Sequence, residues 1–141
     1  MEALETFKEK NDEGGMAEAY HTFGNLYKNS GVSTPPNQGH LEGKFTFSER
    51  MELSKGYFEK AAQIYDHQHD FMGLTKSYFG IASVYGIQGE KFLACEWLEK
   101  SLEAYNNGVE KDPNARLPIL GGWKDAREMI EAFKKKWSCQ G

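Results

Sequence analysis

The sequence predicts an all-α protein, a helical-repeat array of antiparallel helix pairs closed by a C-terminal capping helix. Three observations carry that prediction. Two stretches, AYHTFGNLYKNSG at 19–31 and SYFGIASVYGIQG at 77–89, echo one another at an offset of 58 residues. A second echo, YFEKAAQIY from Tyr57 and WLEKSLEAY from Trp97, runs at an offset of 40. Within each echo the apolar residues fall in steps of three and four, which places them on one face of a helix.

The elements follow in chain order. Ala3 pairs with Ala61 and Phe7 with Tyr65 at the offset of 58, so residues 1–12 are expected to form a partial repeat helix. Repeat 1 covers 14–68. Its first helix carries Met16, Ala19, Tyr20, Phe23, Gly24 and Tyr27 as the apolar stripe, with Gly24 small where a neighbouring helix comes close. Its second carries Tyr57, Phe58, Ala61, Ile64 and Tyr65.

The two offsets differ by 18 residues, which places an insert at 32–49, VSTPPNQGHLEGKFTFSE. Pro35, Pro36, Gly39 and Gly43 give it loop chemistry. At its end Ser48 is expected to cap a helix starting at Glu49, with Phe45 and Phe47 lying as a lid near His21 and Phe79. Repeat 2 covers 70–107, with Leu74, Ser77, Tyr78, Ile81, Ala82 and Tyr85 on the first helix and Ala94, Leu98, Ser101, Leu102 and Tyr105 on the second. Ile119, Trp123, Ala126, Ile130, Phe133 and Trp137 then predict a capping helix over 119–138, its polar face suiting the end of a stack. Trp97 is expected to pack against that cap.

An aromatic-x2-apolar-small-x2-Tyr helix followed by an Ala-x3-bulky helix resembles the tetratricopeptide repeat (TPR). YHTFGNLY and YFGIASVY supply the first half, and Ala94 with Leu98 the second. The resemblance spans roughly residues 3–108 and is nearest to the extended form of about 40 residues per repeat. It implies a right-handed, TPR-like array that acts in protein binding as a scaffold or regulatory adaptor. Ser54, where the family has a small residue opening the second helix, and the longer repeat depart from the common pattern. One branch of the family clamps acidic C-terminal tails. Gly24-Asn25 resembles that branch, but His21 stands where it uses a basic residue, which argues against such a clamp.

Composition narrows the function classes. The 141 residues suffice for one domain with a core, and 27% charged with 39% hydrophobic residues fit a folded chain. A net charge of -4 disfavours a nucleic-acid partner. The basic run Lys134 to Lys136 reads as a solvated helix end. No apolar run approaches a membrane span, and no signal-type segment opens the chain, so a cytoplasmic location without a membrane partner is expected. Cys95 and Cys139 are expected to be a reduced thiol pair, with Cys95 a buried inert thiol.

The search for chemistry is negative. DHQHD at 66–70 holds metal-ligand residue types, but His67 and His69 diverge on a helix, and a polar helix end is the better reading. GLTKS at 73–77 lacks the glycine spacing of a phosphate loop. No catalytic residue, metal site or cofactor is assigned, and no enzyme is expected.

The expected function is therefore binding of a peptide or partner helix in a concave groove lined by the first helix of each pair. With Tyr20, Phe23 and Tyr27 inward, His21, Asn25, Lys28 and Asn29 lie on the groove side, and Phe79, Ser83, Gly86 and Ile87 are their equivalents. Phe79 and Ile87 are the candidate anchors, His21, Asn25 and Asn29 the hydrogen-bonding groups. Phe79 has an alternative, packing on the C-terminal helix or on the insert. The alternative function is a self-assembling structural protein, a homo-oligomer formed through the exposed N-terminal repeat face.

Overall fold

The computed structural model describes residues 13–29, 45–117 and 122–139. Among them lie five helices and no strand: α1 (Glu13–Asn29), α2 (Phe47–His67), α3 (Phe71–Ile87), α4 (Lys91–Lys111) and α5 (Ala126–Lys136). Consecutive helices pack on one another, and α1 also touches α3. The expected partial helix at 1–12 and most of the insert, 32–44, fall outside the described residues.

Helix ends correct several expected boundaries. The cap of α2 is Thr46 rather than Ser48, so the helix begins inside the expected insert. The Glu49 amide donates to Thr46 Oγ1 at 3.0 Å while the Thr46 amide donates to Glu49 Oε1 at 2.8 Å, a reciprocal box that satisfies two otherwise orphaned donors. Asp70 caps α3 by accepting from the Gly73 amide at 2.9 Å. Helix α4 runs past the expected end at 107 to Lys111 and stops before Pro113, whose ring disfavours helix in the preceding residue.

The C-terminal helix is shorter than the expected 119–138. Asp125 accepts from the Glu128 amide at 2.9 Å and opens α5 at Ala126, and Gly122 just upstream has φ of +89°. Ile119 is not among the described residues. Trp123 packs on Phe133 from outside the helix, with ring centroids 5.8 Å apart, so apolar spacing continues where helix does not.

Three helix ends share one closure. His69 after α2, Gly89 after α3 and Ser138 after α5 have φ of 55°, 81° and 55°. In each case the next amide reaches back five residues, Asp70 to Tyr65 O at 2.9 Å, Glu90 to Tyr85 O at 2.8 Å and Cys139 to Lys134 O at 2.8 Å. That is the Schellman pattern, which occupies carbonyls a helix end leaves free.

The core takes most of its residues from the stripes read from sequence and adds Ala17, Met51, Ala62, Val84 and Ala104, which those stripes did not include. Ala17, Tyr20, Ala61, Ala62, Tyr65, Leu74 and Ala104 form one buried cluster, and Met51, Phe58, Ile81 and Val84 a second. Ala82, Leu98 and Ile130 form a third at the C-terminal end. Each helix pair also has one buried serine bond across it: Ser54 Oγ donates to Gly24 O at 2.6 Å and Ser101 Oγ to Thr75 O at 2.8 Å.

Candidate functional site

The face shared by α1 and α3 is organised by Phe58, which α2 inserts between them. Phe58 is fully buried. A Cβ built on Gly24 would lie 2.7 Å from its ring, and one on Gly80 would lie 2.6 Å away. Two glycines thus let α1 and α3 both close on one phenyl group. Gly24 was recognisable from the repeat; Gly80 was not, because its counterpart in the first copy is the exposed Thr22.

One ion pair joins equivalent positions of the two copies. Lys76 Nζ lies 2.6 Å from Glu18 Oε1, and the buried Tyr65 hydroxyl donates to the same oxygen. Burial alone would raise the Glu18 carboxyl, but the bonds from Lys76 and Tyr65 outweigh it and hold it below the usual range. Burial, then Glu18, push the Tyr65 phenol up.

His21 and Lys28 lie deeper than a helical wheel implies. The imidazole meets the Phe58 ring edge-on at 5.2 Å, and its buried Nδ1 has no hydrogen-bond partner among the described residues. Burial first, then the charge of Lys76, lowers its pKa to about 4, against the upward pull of Glu18. The Lys28 ammonium lies 5.8 Å from the Phe58 centroid, and burial lowers its pKa too. Asn25 is half-buried and Asn29 exposed. These four α1 residues therefore make a face that is partly buried, with two partly desolvated basic groups.

The α3 candidates do not extend that face evenly. Phe79 turns to α5 and meets Phe133 edge-on at 5.1 Å, as its packing alternative had it. Ser83 Oγ donates to Phe79 O at 3.0 Å within its own helix. Gly86 is covered by Trp137, and Ile87 remains 44% exposed. The expected lid is also placed differently: Phe45 meets Tyr27 at 6.0 Å, and Phe47, 49% exposed, lies under the Arg50 guanidinium at 5.7 Å.

The cysteines require a correction. Cys95 and Cys139 form a disulfide across 44 residues of chain, and no described cysteine is free. No spacing rule pairs two cysteines this far apart. The join depends on α5 folding back onto α4, with the Schellman turn at Ser138 presenting Cys139. The cytoplasmic expectation drew on a reduced pair, and that support is withdrawn. Beside the bond lies a cleft of about 290 Å³ lined by Phe92, Cys95, Trp137 and Cys139 among others. Trp97 meets Tyr78 at 5.5 Å and also packs on the cluster that contains Ile130 of α5.

Among the described residues no helix is long and apolar enough to cross a membrane, and no group of three or more His, Cys, Asp or Glu could hold a metal ion. His67 ends α2 and His69 occupies the turn beyond it. Comparison with known proteins returns no matching family model, no similar curated protein and no similar solved structure.

Proposed function

We propose that the chain is a protein-interaction module, a right-handed helical-repeat array similar to the tetratricopeptide repeat, which takes a peptide or a partner's helix along the α1–α3 face. The observation that carries the reading is the contact of α1 with α3 at equivalent positions, Glu18 to Lys76, with Phe58 held between Gly24 and Gly80. Side-by-side first helices are what a stack of helix pairs requires, and the surface they share is where such arrays take ligands.

His21, Asn25, Lys28 and Asn29 are the binding residues in this reading, with Ser83 and Ile87 at its α3 edge. The partly desolvated Lys28 ammonium favours a ligand offering carbonyl or carboxylate oxygens, because such oxygens accept the hydrogen bonds it can donate. The acidic balance of the chain supports a protein partner over a nucleic acid.

Selection of a displayed peptide library on the intact chain tests the proposal. Enriched peptides should bind His21→Ala and Asn25→Ala at least tenfold more weakly, and bind Gln63→Ala, on the exposed side of α2, as the parent does. Equal loss from Gln63→Ala, or no loss from the α1 variants, would remove the groove reading.

A further inference from the structure

Helix α5 sits on α3 and α4 much as α3 sits on α1 and α2. At the inner junction α3 brings Ile81 and Val84 onto Met51 and Phe58. At the outer one α5 brings Ile130 onto Ala82 and Leu98, which are the repeat equivalents of Gly24 and Phe58. Phe79, equivalent to His21, faces Phe133. The groove between α3 and α4 is therefore the surface on which a stack of pairs would continue, and α5 fills it.

The lock at the two junctions differs in kind. Lys55 of α2 reaches the end of α3, with its Nζ 3.4 Å from Gln88 Oε1 and 4.4 Å from the Tyr85 ring centroid. Its equivalent at the next junction is Cys95, bonded to Cys139 just beyond α5. A covalent bond thus stands where the inner junction has a reversible contact. The other ties of α5 to α4 are reversible: Lys134 pairs with Glu99, and Arg127 donates to Asn106 Oδ1 at 2.6 Å. At 11 residues α5 is also shorter than a helix that persists alone in water, about 12–15 residues.

We propose that the α3–α4 groove is a helix-accepting end surface gated by the Cys95–Cys139 bond, and that its occupant when the bond opens is α5 of a second copy of this chain. The second copy is favoured because the groove's fit to α5 is already displayed in the contacts of Ile130, Phe133 and Trp137. Of the residues joining α4 to α5, those at 112–117 and 122–125 lie in no helix. The step balances simply. A dithiol reductant supplies two electrons and two protons, the Sγ–Sγ bond breaks to two thiols, and the reductant closes to its own disulfide. Reoxidation of an exchanged pair joins Cys95 of each copy to Cys139 of the other. This inference concerns the end of the stack and stands whether or not the α1–α3 face binds a peptide.

The test uses the full chain in three forms: oxidised, reduced with dithiothreitol, and Cys139→Ser. Each is followed by light scattering over rising concentration and titrated with a fluorescent peptide of residues 122–138. The reduced chain and Cys139→Ser should dimerise beyond any association of the oxidised chain and bind the peptide at least tenfold more tightly. The Phe133→Ala peptide should not bind, and air oxidation of the dimer should give a band of twice the mass on a non-reducing gel. Equal peptide binding in both redox states would overturn the proposal, as would a reduced chain that, diluted to monomer, keeps its α5 amides as protected from exchange as the oxidised chain does. So would loss of all helicity on reduction, because the bond would then hold the whole array and not its end.

Discussion

Replacing Gly24 by alanine sets two known effects against each other at a place where the structure decides the winner. In a helix interior the change gains about 0.5–1 kcal/mol, because glycine has more freedom to lose. At Gly24 the new methyl would lie 2.7 Å from Phe58 Cε1, closer than carbon atoms pack, and the fully buried ring, which also packs close against the backbone at Gly80, has little room to shift. Overpacking of this kind costs about 1–3 kcal/mol. The expected net is a loss of about 1–2 kcal/mol.

Gly56 is the control: it lies within α2 and a Cβ there meets nothing within 4 Å, so Gly56→Ala should gain about 0.5–1 kcal/mol. Urea unfolding followed by circular dichroism reads both as midpoint shifts at constant slope, and thermal midpoints should move roughly 3 °C per kcal/mol. The second copy carries Ala82 against Leu98, so Phe58→Leu should cost less in the Gly24→Ala background than alone. A Gly24→Ala chain as stable as Gly56→Ala would refute the account of Phe58 as a wedge.

His21 makes stability depend on pH. Its folded pKa of about 4 lies below the unfolded 6.5, so the folded state resists protonation. The contribution is full above 6.5 and is lost as pH falls toward 4, by up to about 3 kcal/mol in all and about 2 kcal/mol between pH 7 and pH 5, a loss that His21→Gln should lack when both chains are unfolded at those two pH values. Lys76→Glu should cost about 1 kcal/mol or less, given an exposed carboxylate partner, and adding Glu18→Lys should restore most of it in a double-mutant cycle. His69→Gly should raise stability by roughly 1 kcal/mol by relieving a left-handed residue, whereas the same change at exposed Gln63 within α2 should lower it; a shared sign in thermal melts would discredit the turn assignment.

The helices were legible because burial imposes a period, and a repeat displays that period twice. Gly24 could be singled out for the same reason. What a helical wheel lacks is knowledge of the next element. His21 and Phe79 fall on the outward side of their own helices, but Phe58 of α2 meets the first and Phe133 of α5 the second. The start of α5 was misplaced because Trp123 packs on Phe133 from beyond the helix, and apolar spacing records burial, not backbone conformation. The disulfide was illegible because it joins residues that only the folding back of α5 brings together.

The pairing of Glu18 with Lys76 also gives the array a direction. Stacked copies that met at this position with the same residue would set carboxylate against carboxylate or ammonium against ammonium. Like charges there would repel by about as much as the native pair attracts, about 1 kcal/mol or less, so the contact favours unlike neighbours without forbidding like ones.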